Sequence, residues 1–551
     1  MSILLTIHRY VFRELLRVFL LALVALTLIL SLGGILQPVQ EYGAGPKQVV
    51  YLMFYFLPIT LTFVLPMAAL FAGSLVYGRL TSDNELDACR ASGISVLTLV
   101  YPGLFLAIIV AVANLFLSFY VTPTFVHLAE KSFKADAKQM LFRNIQTKGF
   151  YELGYDDNLV LIYADDVDPI KDILSGVVVI QIEGKNNEIK NLYTTEYAKV
   201  RFTTHQNINE VQIMAYNPGQ KGAKHQTEAE FVSASWEFGS ILGDDITFKK
   251  LDEMRKIRAN LLLFEPIAKQ ARDTSEELVS ELLAYDMNQK ISGNPGTQEP
   301  HAGDSNDTAS FYELTGEPNS VKFTSTECLV QNKKINLSGE VIITEYDTNS
   351  QHILRTFRCM QASLSLEGDV LEPKLEMDIQ KAMIQETGEL KMRYVIHNLT
   401  VPDRIKKIIR TYKTDNGSLN SLSLASELPP MTGFQPSSKL MKLREGLKMD
   451  IQKTLLEIKS EIQSRLVFGI GCVAMILIGI GLGILIRGGH LLSAFGAACL
   501  PAAVLIVCIM SGKQLTENID AQTVSGVAIM WGGLGFLFLL AVGIYYQLLK
   551  T

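Results

Sequence analysis

Two kinds of hydrophobic pattern divide this chain. Toward both ends the apolar positions run together almost unbroken, over residues 15–36, 50–77 and 97–122, then 466–486, 491–511 and 524–549. Each run is about as long as the 20 or so residues that a helix needs to cross a bilayer core. Six membrane-spanning helices in a 3 + 3 arrangement are therefore expected. The first run is too long for the apolar part of a signal peptide and lacks a small-residue cleavage site, so it reads as a retained helix.

From Phe150 the period changes to two. "NLVLIYADDV", "SGVVVIQIEG" and "NEVQIMAY" alternate apolar and polar residues between Asp, Asn and Gly turns, which predicts short, half-buried strands of a sandwich or roll. A second strand-rich block covers residues 321–399 and includes "INLSGEVIITEYD" and "KMRYVIHNLTV". Between the blocks lies an insertion at about 249–309. It begins with "LDEMRKIRANLLLFEPIAKQARDTSEELVSELLAYDM", a charge-rich helical pattern broken at Pro266. It ends in "SGNPGTQEPHAGDSNDT", too polar to bury a core and read as a disordered loop. A linker over 416–436 precedes "SSKLMKLREGLKMDIQKTLLEIKSEIQSR", a long helix feeding the fourth apolar run. The expected domains are a first membrane half (1–122), a β region (123–436) and a second membrane half with its leading helix (437–551).

Charge sets the expected orientation. With the N-terminus in the cytoplasm, Arg9, Arg13, Arg17, Arg79, Arg90, Arg487 and Lys550 lie inside, while the opposite short loops keep only Lys47 and Lys513. That arrangement places both termini inside and exports the β region. The three N-terminal arginines set topology and meet anionic headgroups, or serve a partner interface. Basic residues are otherwise dispersed and the net charge is only -6, so nothing argues for nucleic acid.

Candidate chemistry narrows the picture further. No H-E-x-x-H, G-x-S-x-G or C-x-x-C occurs, and Gly184-Lys185 is followed by Asn186 where a nucleotide-binding loop needs Ser or Thr. An enzyme, a metal site or a cofactor is not expected, and any ATP hydrolysis must come from another chain. Of six cysteines, Cys328 and Cys359 fall in the exported region, where a bridge between them is chemically open. Glu461 and Arg465 stand four apart and pair on the helix before the fourth span, as a structural tie or a gating element. "GIGLG" (479–483) and "GGLG" (532–535) permit close helix contact.

Several stretches resemble the LptF/LptG permease family, the paired transmembrane subunits of the lipopolysaccharide-export ABC transporter. They are "RYVFREL", "LPMAALFAGSLVYGRL", "NELDACRASGIS", "NLVLIYADDVD" and "EIQSRLVFGIG", together with Trp531. The resemblance covers roughly 1–240 and 437–551 and implies a bacterial inner-membrane protein with a periplasmic β-jellyroll-like domain. It implies pairing with a second LptF/LptG-type subunit, a cytoplasmic LptB-like ATPase dimer, LptC/LptA-like periplasmic jellyroll partners and a lipopolysaccharide cargo. It also implies that Glu85, on a cytoplasmic helix over 82–93 with Asp83 and Arg90, engages the ATPase; Leu86 and Cys89 fall on a neighbouring face and either pack into that partner or anchor the helix on the membrane side. The reading from residues alone makes Ser82-x-x-Glu85 a capping box and Gly93 the helix terminator.

The chain departs from the family twice. Its exported region is longer, as one enlarged roll or two stacked ones, and "SLGGILQPVQEYG" supplies no Lys or Arg before Lys47. A membrane scaffold, or an ABC subunit that drives an external protein without moving lipid, is the alternative to lipid export.

Overall fold

The computed structural model describes all residues except 1, 43–45, 154–157, 170, 184–187, 206–207, 217–218, 223–225, 229–230, 239–244, 292–310, 332, 349, 351, 368–372, 412–421, 423–432, 487–490, 519–522 and 551. In some further segments, among them 32–42, 132–140 and 201–238, only the backbone path is described. Arg487, Gly184, Lys185, the polar loop at 292–309 and most of the 416–436 linker therefore lie outside the described residues. The chain forms two compact units, residues 1–255 with 456–551, and residues 256–455.

The first unit carries six helices long and apolar enough to cross a membrane. They belong to α1 (Ser2–Tyr42), α2 (Pro46–Ser82), α4 (Val96–Phe116), α9 (Ser438–Leu485), α10 (Leu491–Glu517) and α11 (Thr523–Lys550), with α3 (Glu85–Ala91) between α2 and α4. Both halves contribute to one core: Leu15 and Phe19, Val64 and Tyr77, Leu106 and Val110, Ile476 and Ile480, Leu505, and Leu537 are all buried in it. Large apolar residues on the other faces, such as Leu21 and Leu539, stay exposed, as a lipid-facing surface requires.

The third apolar run does not stop at 122. A five-residue π segment (Leu117–Val121) passes directly into α5 (Thr122–Lys148), so the helix extends well into the stretch assigned to the β region. Helix-favouring Lys, Ala, Gln, Leu and Met explain the continuation. Gly149, at φ 83°, ends it by donating its N–H to Ile145 O at 2.8 Å. The buried Leu141, Phe142 and Ile145 then join Val160, Ile162, Leu174 and Val177 of the first sheet in a second core.

That sheet holds β1 (Phe150–Leu153), β2 (Asn158–Tyr163), β3 (Asp166–Asp168), β4 (Ile173–Glu183), β5 (Glu188–His205), β6 (Ile208–Tyr216), β7 (Gly219–Gly222), β8 (Gln226–Glu228) and β9 (Phe231–Phe238). Its main path is the antiparallel order β1-β2-β4-β5-β6-β9. A short turn at Ile246–Phe248 and α6 (Leu251–Ala259) follow.

The second unit is built on a separate seven-stranded sheet. Its strands are β10 (Tyr312–Leu314), β11 (Asn319–Thr324), β12 (Glu327–Gln331), β13 (Lys334–Asp347), β14 (Ile353–Glu367), β15 (Lys374–Ile384) and β16 (Leu390–Thr400). The order is β10-β11-β13-β14-β15-β16, with β12 beside β13. The two strand blocks thus form distinct sheets, not one enlarged sheet. The second curls until its ends meet: Thr400 N donates to Thr315 O at 2.6 Å, and Gly316 bridges Leu399. Helix α7 (Glu265–Ile291) fills the curl with Leu278, Val279, Leu282, Leu283 and Met287, spaced three and four apart on one buried face. Pro266 sits in its first turn, where a missing N–H costs nothing.

Acidic groups on α7 complete this unit. Asp286, buried, accepts from Tyr312 Oη at 2.7 Å, with Lys290 and Arg404 of α8 (Asp403–Thr411) at 3.5 and 3.7 Å. Burial and the adjacent Asp286 carboxylate push the Tyr312 phenol well above its usual range. Glu277 pairs with Lys439 at 2.9 Å, and Glu281 accepts from Ser437 N at 3.0 Å, which fixes the first turn of α9.

The Cys328–Cys359 bridge that the sequence leaves open does not form, and both thiols are free and buried. Register explains why. Cys328 faces Leu337, Leu337 faces Ala362, and Cys359 lies three residues from Ala362. Two strand spacings of about 4.8 Å already exceed the Cα separation that a disulfide tolerates. Burial pushes the Cys359 thiol up to about 11 and raises that of Cys328, which keeps both protonated and unreactive. Alkylation after unfolding, with no prior reductant, is expected to modify both. A linked 328–359 peptide in the mass spectrum contradicts this assignment.

Candidate functional site

Two clusters in the first unit combine polar chemistry with defined geometry. The first is the segment between α2 and α4. Helix α2 runs through Ser82, so Ser82 is its last residue and not the cap of the next helix. The capping box does not form. Asn84 occupies the N-cap position of α3 in the left-handed region, φ 58°, and makes no side-chain cap hydrogen bond; asparagine tolerates that conformation better than most residues. Glu85 opens the helix, where its charge meets the positive end of the peptide dipoles. Its exposed carboxylate accepts one long hydrogen bond, from Tyr10 Oη at 3.3 Å.

The other end of α3 is closed tightly. Gly93, at φ 81°, donates to Arg90 O at 2.9 Å, and Ile94 N donates to Cys89 O at 3.1 Å. This pair of bonds is the Schellman arrangement, and no contact other than the cap explains Gly93. Leu86 is buried in the membrane-half core and Cys89 packs against it. These two residues therefore hold α3 to its own chain, which removes Leu86 from the surface offered to a partner. Asp83 is exposed, and Asp87 lies 3.8 Å from Arg90.

Beside α3, Arg79 of α2 reaches Glu14 of α1 at 3.0 Å, and Arg17 approaches the same carboxylate at 3.8 Å. Arg9, Arg13 and Arg17 are all exposed. Glu85, Tyr10, Arg79 and Glu14 thus form a charged surface across the ends of α1, α2 and α3.

The second cluster centres on Arg465 in α9. The Glu461–Arg465 pair forms as its spacing predicts, with Nε donating to Glu461 Oε1 at 2.9 Å. Both side chains are more than nine-tenths buried. The guanidinium does far more than pair. Its Nη1 donates to Ser118 O at 2.9 Å, in the π segment, and its Nη2 to Thr247 O at 2.7 Å. Its Cζ also lies over the Phe119 ring, 5.4 Å from the ring centre.

Glu461 is shared in turn. Lys513 of α10 donates to its Oε2 at 2.7 Å and to Thr247 Oγ1 at 3.3 Å. Glu517 lies 4.0 Å from Lys513 and accepts from Ser460 Oγ at 2.7 Å. Two cations and two carboxylates therefore close a neutral network. It joins α9, α10, the π segment after α4 and the turn that follows the first sheet. A π segment disturbs the regular helix ladder and often marks a functional position; here one of its carbonyls is held by Arg465. Lys513 is consumed by this network and is not a free loop charge.

A third polar point lies between α2 and α4. Pro66 has no N–H to give to Thr62 O, and the buried Asn114 supplies the missing donor at 2.6 Å. Nothing around Asn114 marks this point except its being an amide in an apolar run. Sequence reasoning also missed Ser118 and Thr247 as partners of Arg465, and Lys513 as the second partner of Glu461. Lys513 alone left a signal, as a cation at the end of an otherwise apolar run. No three His, Cys, Asp or Glu side chains gather as a metal site among the described residues.

The family described as lipopolysaccharide export system permease LptF/LptG matches residues 9–301. That span takes in α1 from residue 9 onward, α2 to α7 and the whole first sheet, so it contains the charged surface around Glu85. The second sheet, α9 with Arg465, and the last two spans fall outside it. No curated relative matches the chain.

Proposed function

The chain belongs to the LptF/LptG permease family, and from that premise we propose that it is a transmembrane permease subunit of an ABC transporter. In this reading it takes lipopolysaccharide or a related glycolipid from the outer leaflet of the inner membrane. The lipid then passes to LptC/LptA-like jellyroll proteins of the periplasm. An LptB-like ATPase dimer drives the cycle, and a second LptF/LptG-type subunit completes the membrane cavity. Both termini face the cytoplasm and the β region faces the periplasm.

The observation that carries the reading is the family match over 9–301, across the first three spans and the first sheet. The geometry of α3 supports a coupling role for Glu85. Its carboxylate is exposed, it caps nothing, and α3 is anchored from below by Leu86. A force transmitted to α3 is therefore delivered to the membrane core through packed side chains. The exposed Arg9, Arg13 and Arg17 suit a surface that meets anionic headgroups at the cytoplasmic face.

Affinity purification of the full chain from its native membrane is the direct test. An ATP-hydrolysing partner is expected to co-purify, about tenfold less with Glu85→Ala and not at all with Glu85→Lys. Tyr10→Phe removes the same intramolecular hydrogen bond and is expected to leave co-purification unchanged. Equal recovery with all three variants excludes Glu85 as the coupling residue. Absence of any ATPase from the unmodified complex excludes the transporter reading.

A further inference from the structure

The outer face of the second sheet carries a cavity of about 400 Å³, within the range of small-molecule sites. Its origin lies in side-chain size. The strand registers place Asn336, Ser363 and Asp378 in one row across β13, β14 and β15, and Ser338, Gln361 and Gln380 in the next. The short side chains Asn336, Ser338 and Ser363 are half-buried at the middle, while Gln361, Gln380 and Lys334 stand exposed around them. A row of short residues ringed by long ones makes a dish. Leu337 and Ala362 belong to the core on the opposite face, so the floor is fixed by the packing of the unit.

The chemistry of the lining is specific. Four side-chain amides, Gln331 among them, and two hydroxyls offer both donors and acceptors, and Leu329 adds one exposed apolar side chain at the edge. Asp378, 7% exposed, is held by Arg393, whose Nε lies 3.1 Å from each carboxylate oxygen. That clamp fixes the carboxylate and cancels most of its charge, and only Lys334 adds a cation among the described lining residues. An anion-binding site needs more positive charge than this, and a protein-docking centre is ordinarily apolar and aromatic. Neutral amides and hydroxyls around a fixed carboxylate match a polyhydroxyl ligand.

We propose that this dish binds a saccharide, one or two sugar units of a glycan. The glycan is either free or the head of a glycolipid, since the same hydroxyls are presented by both. The proposal does not rest on the transport reading, because the dish lies wholly beyond residue 301, where the family match ends.

Saturation-transfer NMR on the full-length protein in detergent tests it. The probes are chitotriose and maltotriose as free glycans, and deep-rough lipopolysaccharide in mixed micelles as the glycolipid. Transfer to sugar protons of at least one probe is expected. Signal from the trisaccharides assigns a free glycan, and signal from the micelles alone assigns a glycolipid head. Ser363→Leu, which fills the dish, is expected to weaken binding by about tenfold or more. The double variant Gln361→Ala/Gln380→Ala changes only exposed rim residues, leaves the core intact and is expected to do the same. No transfer to any probe overturns the proposal, as does transfer unchanged in both variants. A failed ATPase co-purification leaves this outcome untouched, and the converse also holds.

Discussion

Gly483→Leu is expected to prevent assembly of the membrane half. A Cβ at this position sits 2.7 Å from Ser74 O and 3.2 Å from Gly78 N. Both are backbone atoms of α2, so no rotamer change relieves the clash and the two helices must part. Gly479, one turn earlier, approaches Leu70 O in the same way at 3.0 Å. Overpacking ordinarily costs about 1–3 kcal/mol, and backbone contacts at both glycines place this seam at the upper end or above. Small residues matter here because lipid offers no hydrophobic drive to hold helices together, leaving close packing to do so. Gly535→Leu is the matched control, since a Cβ there meets nothing within 4 Å. Thermal unfolding in detergent should show Gly535→Leu close to the parent and Gly483→Leu strongly destabilised or unrecoverable. Equal stability of the two variants rejects the α2–α9 seam as a site of close backbone packing.

Arg465→Met is expected to have the second-largest effect. It leaves the Ser118 and Thr247 carbonyls without their guanidinium donor. It also leaves Glu461, 6% exposed, with Lys513 alone. Breaking one partner out of a buried ion pair costs about 3–5 kcal/mol, chiefly because the group left behind stays buried. Arg465→Lys is expected to recover little, since one ammonium cannot serve Glu461, Ser118 and Thr247 in three directions. Glu461→Gln combined with Arg465→Met should cost less than the two single changes added together, as expected for members of one network. Melting temperatures of the four proteins in the same detergent decide the matter. Additive losses, or an unperturbed Arg465→Met, reject a shared network.

The short charged segment between the second and third spans shows how far sequence reasoning reaches. "NELDACRASG" announces a helix and its stop, and Gly93 ends it with the expected left-handed turn. The start lies elsewhere, because Ser82-x-x-Glu85 satisfies the capping pattern while the preceding helix already claims Ser82. A local motif cannot register that a neighbouring helix is long enough to overrun it. Glu85 is not the cap of α3, so a change there tests coupling without first removing a cap.

The thiols and the dish show the same limit in the sheet. Cys328 and Cys359 share a block of strands, yet strand order sets them two strands apart. Polar alternation in "INLSGEV" and "QASLSLE" shows which residues face outward. Only the register places Asn336 beside Ser363 and Ser338 beside Gln361, and only then does a concavity exist.

By itself the sequence determined the six apolar spans, the β region between them, the insertion's helical character and the i, i+4 pairing of Glu461 with Arg465. All of these depend on periodicity or on neighbours within one turn, which composition and spacing encode directly. Tertiary structure decided what Arg465 actually binds, since Ser118 and Thr247 lie 347 and 218 residues away along the chain. It also decided that "GIGLG" is a seam while Gly535 faces open space, and that the strand blocks form two sheets. Those outcomes follow from which helix or strand packs alongside another, and that choice is made by the whole core at once.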